Sequence, residues 1–365
     1  MDKLTLKVAG QVYGGWKSVT INHGIEQVAG TFALGITERW PGQATSWAIP
    51  PGELCEVLIG DDPVINGYVD AVSVSYDAQS HDISVKGRDR TGDIVDCSAP
   101  SVDFKNQTFD QIAQALLKPY NIRLTNQTKS KPISLPKNAM QQGESVFRTL
   151  EKIVRSEGAL LISDRQGGLI KTRAGAGGES DTVLKFGENI LRAQFEHSYA
   201  NLYSNITVKG QVAAPSAERF SVTQTSCKGS VSRPSKAASS VNSQITRYRP
   251  LVLVAETQAD AKRCLQRAQW KASTREAKAR RITITVQGWR QRSGKLWQIN
   301  QTVRVTCPWM RVDERWLIAA TNFKLDSGGS LTDLTLVGPN AYNLLPEIPA
   351  PNAAGKFAVT TGGKK

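Results

Sequence analysis

Leu54-Cys55-Glu56-Val57-Leu58-Ile59-Gly60-Asp61-Asp62-Pro63-Val64-Ile65-Asn66-Gly67-Tyr68-Val69-Asp70 is the stretch on which the fold turns. A short apolar strand ends at Ile59, Asp61-Asp62-Pro63 turns the chain, and a long strand runs on to Tyr76, with Val69, Ala71, Val72 and Val74 alternating only loosely. Ile83 and Val85 carry the return strand. Upstream, Leu4, Leu6 and Val8 alternate, followed by Val19 with Ile21 and by Phe32, Leu34 and Ile36. Gly14-Gly15, Pro41-Gly42 and Pro50-Pro51-Gly52 supply the turns between them. Residues 1–99 therefore predict a β-barrel or sandwich.

Downstream the period changes. Thr108 and Gln111 form a capping box ahead of the helical stripe Phe109, Ile112, Ala113 and Leu116, and Pro119 follows its end. A second stripe, Val146, Phe147, Leu150, Ile153 and Val154, stops at Gly158. Arg165-Gln166-Gly167-Gly168 then joins two short apolar runs as a hairpin. Residues 100–178 predict a small α+β domain closed by the Gly-rich stretch 174–178.

Strands resume after 179, a polar Ser-rich loop is expected over about 226–244, and a long basic helix over 257–279, capped by Thr257 or Asp260. Leu54–Ile59, Pro63–Tyr76 and His81–Gly87 recur in the same order and with similar lengths as Val303–Cys307, Arg315–Asp326 and Ser330–Gly338. That faint duplication makes residues 179–340 a second, related barrel. The class is α+β and mainly β: two related β-barrel domains, an α+β insert, one long helix, and an extended, partly disordered tail at 341–365.

The chain of 365 residues carries a formal charge of +14, unevenly spread. Residues 1–100 hold 7 basic and 13 acidic side chains, 101–200 hold 14 and 10, and 201–365 hold 25 and 9. A uniformly basic nucleic-acid binder needs no acidic first third, whereas opposed ends suit packing against a neighbouring protein. The cysteines Cys55, Cys97, Cys227, Cys264 and Cys307 are scattered and unpaired in sequence, as expected of reduced thiols in a soluble, cytoplasm-made chain.

Signatures of chemistry are sparse. His23, His81 and His197 are isolated, Ser180 breaks the GxGxxG match begun by Gly175 and Gly177, and no phosphate-binding loop or nucleophile elbow is complete. No catalytic, cofactor or metal site is assigned. Asp89, Asp93 and Asp96 could share a helical face as ligands for a divalent ion, or cap a helix and pair with Arg88 and Arg90, which such spacing does more often. A hydrolase would have to use Glu144, Glu151 or that Asp group.

The strongest signal is basic. Arg263, Arg267, Lys271, Arg275 and Lys278 stand four, four, four and three residues apart and form one helical row, within a segment 262–292 that also holds Arg280, Arg281 and a single acid, Glu276. Five of the eight tryptophans fall between Trp270 and Trp316. The row reads as a solvated face, as a phosphate-backbone contact in a nucleic-acid-binding protein using helix 262–281, or as contact with an acidic protein surface.

Several motifs resemble a known family. Gly52–Gly60, Pro63–Asp70 and His81–Asp89, then Arg247-Tyr248-Arg249-Pro250-Leu251, Arg267-Ala268-Gln269-Trp270, Gly288-Trp289-Arg290 and Gly294-Lys295-Leu296-Trp297, look like the baseplate hub proteins of Mu-like contractile-tailed phages, over nearly the whole chain to about residue 345. The hub portion of type VI secretion spike proteins is more distantly similar. The resemblance implies a structural, non-enzymatic homotrimer whose six related barrels join the sixfold tail tube to the threefold puncturing spike. Its partners would then be tube, spike and other baseplate proteins in the virion tail, with host cytoplasm as the place of assembly.

Overall fold

The computed structural model describes residues 2–37, 49–77, 81–128, 134–138, 143–212, 225–231, 245, 247–254 and 261–345. Pro41-Gly42, Thr257, Asp260 and the tail beyond 345 lie outside them.

Thirteen strands join in one sheet. Its main path runs from Arg192–His197 through Arg280–Gln287, Gly329–Val337 and Val312–Asp326 to Ser18–Gly24, then through Thr31–Thr37, His81–Asp89, Asp62–Tyr76, Leu54–Ile59 and Leu4–Val8 to Gln11–Tyr13. Thr302–Cys307 branches off Val312–Asp326 and carries Leu184–Lys185 on its far side. The two expected barrels are thus two lobes of a continuous sheet. Antiparallel pairing of Ser18–Gly24 with the second half of Val312–Asp326 joins them, and no strand pair closes either lobe among the described residues.

The duplication is real in three dimensions. The three repeated strands are 6, 15 and 9 residues long in the first lobe and 6, 15 and 9 in the second as well. Each long strand shifts register against its return strand at a matching point, Val69/Ala71 in one and Ile318/Ala320 in the other. A bulge of this kind bends the strand and increases its twist, so each lobe curves over its own apolar face. The faces fuse into one core, in which Leu6, Ile21, Leu34, Val57 and Val85 meet Ile284, Val305, Trp316, Phe323 and Leu336.

Two glycines are dictated by close backbone approach. A Cβ on Gly67 would lie 2.0 Å from the Arg88 carbonyl oxygen, and one on Gly87 2.1 Å from that of Tyr68. These facing glycines let the long strand and its return cross tightly before the bulge.

Helix α1 (Thr91–Asp96) leads into the insert, which carries α2 (Phe109–Leu117) and α3 (Val146–Ser156). Thr108 and Gln111 cap α2 reciprocally, Ser145 caps α3, and Gly158 takes φ 72° just beyond α3. Leu160–Ser163 and Leu169–Thr172 form the hairpin, with Leu124–Asn126 added in parallel. Ile112, Leu116, Val146, Leu150 and Val154 give the insert a core of its own.

Helix α4, Ala261–Ala279, packs Cys264, Ala268 and Ala272 against Ile206 and Val208 of a separate three-stranded sheet. Part of the expected polar loop is in fact a strand of that sheet: Thr225–Val231 pairs antiparallel with Asn205–Val212. Its Ser, Gly and Lys content hid a strand whose ladder is made by the backbone. The first tail residues are anchored, with Ala341 fully buried and the Trp270 indole N–H donating to the Asn343 carbonyl at 2.5 Å.

Candidate functional site

The basic row lies on α4 over its whole length, and its members differ in surroundings. Lys271, Arg275 and Lys278 line a cleft of about 580 Å³ between α4, the end of α3 and residues 341–344. Apolar walls come from Ile25, Phe147, Leu160 and Leu161, and Arg155 and Glu151 add charge from α3. Lys278 pairs with Glu26 at 2.9 Å and lies over the Tyr342 ring, 4.5 Å from its centroid. That pair, through the Lys278 hydrogen bond first, holds the Glu26 carboxyl below its ordinary range. Arg275 donates to the Asn201 carbonyl at 3.2 Å and stacks over Tyr203 at 4.9 Å, while its Nε is buried without a partner among the described residues.

Lys271 lies 5.3 Å from the centre of the Trp270 ring, and no carboxylate among the described residues forms an ion pair with it. Burial first, then the like charges of Arg275, Arg155, Arg267 and Lys278, push its ammonium below the usual lysine range. Arg267 has partners of its own, and the Arg263 side chain lies outside the described residues. Lys271, Arg275 and Lys278 therefore form one wall of a cationic cleft, to which Arg267 does not contribute. Glu26, Arg155 and Tyr342 come from distant segments, and no local periodicity in the sequence points to them.

The aspartates divide. Asp89 is buried and accepts from the Gly30 amide at 2.7 Å, the Thr91 amide at 2.9 Å and the Thr91 hydroxyl. Arg88 pairs with Asp96 and with Asp70, each at 2.8 Å. Asp89 thus locks a loop and Asp96 shares an arginine fork with Asp70. Among the described residues no side-chain ion pair joins Asp93 to either, and no His, Cys, Asp and Glu cluster has the arrangement of a metal site. The hydrolase candidates are engaged too: Glu144 with Lys152, and Glu151 with Arg155 at 3.5 Å.

Buried polar groups sit where the lobes meet. His23, opposite Thr321 in the joining ladder, has its ring pKa lowered to about 3, by burial first and then by the nearby Arg165 charge. Arg165, at the tip of the insert hairpin, donates to the Trp297 carbonyl and lies 5.5 Å from the centre of the Phe323 ring; burial lowers it to about 10.

Two fused β lobes, an α+β insert and a cationic cleft thus make up the described part of the chain. Residues 3–89 match the N-terminal domain of GpP-like Mu phage baseplate assembly proteins, 91–173 the second domain of gp44-like baseplate hub proteins, and 260–345 the fourth domain of the Mu phage baseplate assembly protein GpP. The baseplate hub protein gp44 of Escherichia phage Mu is 34% identical over 308 residues, which is 83% of this chain and 79% of that protein. The chain belongs to this family of Mu-like baseplate hub proteins, components of the phage tail baseplate.

Among solved structures, the 43 kDa tail protein of prophage MuSo2 from Shewanella oneidensis is 33% identical, with a TM-score of 0.81 over 94% of this chain and all of its own. The E. coli c3393 protein, a type VI secretion component, shares the fold at 10% identity, with a TM-score of 0.54 over 94% of this chain and 80% of that protein.

Proposed function

We propose that the chain is a non-enzymatic hub subunit that closes with two copies of itself into a homotrimeric ring, placing six related lobes between the sixfold tail tube and the threefold spike. The observation that carries the reading is the strand unit of 6, 15 and 9 residues repeated in one chain, since three copies of a doubled unit match both symmetries. Assembly takes place in the host cytoplasm, and the ring supports genome delivery through its association with tube, spike and other baseplate proteins.

The domains of the ring subunit are 1–99, 100–178, 179–340 with the basic helix, and the tail 341–365. The row Arg263, Arg267, Lys271, Arg275 and Lys278 meets an acidic surface of a neighbouring protein, its cleft receiving carboxylates that answer Lys271 and Arg275.

Native mass measurement is the deciding experiment. A species of about three chain masses at micromolar concentration and moderate salt is expected, and a stable monomer would remove the ring. Duplex-DNA binding at about 50 mM salt that weakens steeply as salt rises would instead favour the nucleic-acid role of helix 262–281.

A further inference from the structure

The duplication makes a prediction that the single chain leaves open. In the second lobe, the half-strand 320–325, beyond the bulge, has a neighbour on each side: Gly329–Val337 on one and Ser18–Gly24 on the other. Its counterpart in the first lobe follows from the ladders: Ala71 pairs with Lys86 as Ala320 pairs with Thr335, so Ala71–Ser75 corresponds to Ala320–Lys324. That half-strand pairs with His81–Asp89 on one side, and no strand occupies the other side of Ala71–Ser75 among the described residues.

The missing neighbour can be identified by the same reasoning. Ser18–Gly24 pairs with Thr31–Thr37, which pairs with His81–Asp89, and the equivalent chain of partners in the second lobe runs from Gly329–Val337 through Arg280–Gln287 to Arg192–His197. Thr20 opposite Ala33 corresponds to Gln194 opposite Thr283, which aligns Val19, Ile21 and His23 with Ala193, Phe195 and His197. Histidine thus recurs at the same place. Arg192–His197 ends the sheet, and its outer edge has no strand partner among the described residues.

Resting on the trimeric reading, we infer that the edge Ala71–Ser75 of one subunit pairs antiparallel with Arg192–His197 of the next, in the register that Ser18–Gly24 makes with Ala320–Leu325 inside each chain. The internal ladder sets Thr321, Asn322, Phe323 and Lys324 opposite His23, Asn22, Ile21 and Thr20. Between subunits it places Val72 opposite His197, Ser73 opposite Glu196, Val74 opposite Phe195 and Ser75 opposite Gln194.

Burial agrees with this placement. Phe323 is fully buried, Ile21 and His23 are buried, and their counterparts are left open: Val74 is 63% exposed, and Phe195 and His197 are only half-buried. An exposed strand edge with apolar side chains is a ready template for a further strand, and a ring in which every edge is paired has none left open. Joined in this way, the sheet continues from each subunit into the next and alternates internal and intersubunit seams.

Paired cysteines test the register in the full chain. Ser73 and Glu196 are both exposed, and directly opposed Cβ atoms lie about 5 Å apart, close to disulfide range. Mild oxidation of the Ser73→Cys, Glu196→Cys variant is expected to give covalent dimers and trimers on a denaturing gel. Each single variant should stay monomeric there, as should Ser73→Cys, Arg192→Cys, in which the partner is displaced by about 13 Å. A second variant, Val74→Lys, puts a charge on the edge and is expected to lower the trimer fraction by about tenfold or more while preserving the far-ultraviolet circular dichroism of the fold. A native trimer that fails to cross-link in this register, or links equally well in the shifted one, overturns the seam and leaves the hub reading intact. A monomer at micromolar concentration overturns both.

Discussion

His23 shows how one buried group makes stability depend on pH. Its ring is held neutral in the fold by a pKa of about 3, whereas in the unfolded chain it titrates near 6.5. Between those values the unfolded state takes up a proton that the folded state refuses. The stability is therefore intact above pH 6.5 and falls as pH drops through that window, by about 1.4 kcal/mol per unit. Urea unfolding at about pH 7.5 and 5.0 should show a loss near 2 kcal/mol that His23→Gln largely removes. Gly67 offers a steric counterpart. With the Arg88 carbonyl oxygen 2.0 Å from any added Cβ, Gly67→Ala must displace backbone, and a cost above about 2 kcal/mol is expected by chemical denaturation. Neither constraint was legible in advance. In the sequence His23 is only an isolated histidine and Gly67 one member of a motif, because the groups that press on them come from distant segments.

At the scale of elements, α4 illustrates what a pattern does and does not contain. The spacing of Arg267, Lys271, Arg275 and Lys278 is enough to place them on one side of a helix, but not to say what stands opposite. The facing wall comes from α3, from Glu26 and from residues 341–344. Crowding cations there is unfavourable unless carboxylates answer them, and Glu26 answers only Lys278 by a direct ion pair. Reversing Lys271 alone to glutamate should relieve the internal repulsion without breaking the Arg275 contacts, leaving the melting temperature unchanged or higher. The same change should sharply reduce tail particles in a complementation assay counted by electron microscopy. Normal particle numbers would return the row to a structural role. Strands are more legible than the helix surroundings, since alternation reports a buried face directly: the order of the repeated strands is right, and their bounds fall within three residues of those observed, the widest gap being Arg315 against Val312. Thr225–Val231 escaped because its partner, not its own composition, makes it a strand.

For the whole molecule, the decisive fact is the ladder between Ser18–Gly24 and Ala320–Leu325, which turns two barrels in sequence into one body. Pairing of strands about 300 residues apart has no local signature, so the fusion could not be read from either lobe alone. The insert is attached by different means. It has its own core, and Arg165 reaches from its hairpin to the Trp297 carbonyl and the Phe323 ring, while Arg90 bridges to it from the first lobe, donating to the Asn66 side chain at 3.2 Å and to the Asn121 carbonyl at 3.4 Å. A buried guanidinium is costly to desolvate, yet removing it leaves the Trp297 carbonyl and the space around Phe323 unfilled. Arg165→Ala should therefore loosen the insert without unfolding the sheet. Two observations check this: calorimetry should resolve a lower-temperature transition for the insert from the main one, and limited proteolysis should cut faster in the glycine-rich stretch 174–178. One unshifted transition, with cleavage unchanged, would mean that the apolar contacts of Ile162 with Ile25 and Leu317 hold the insert in place without the arginine.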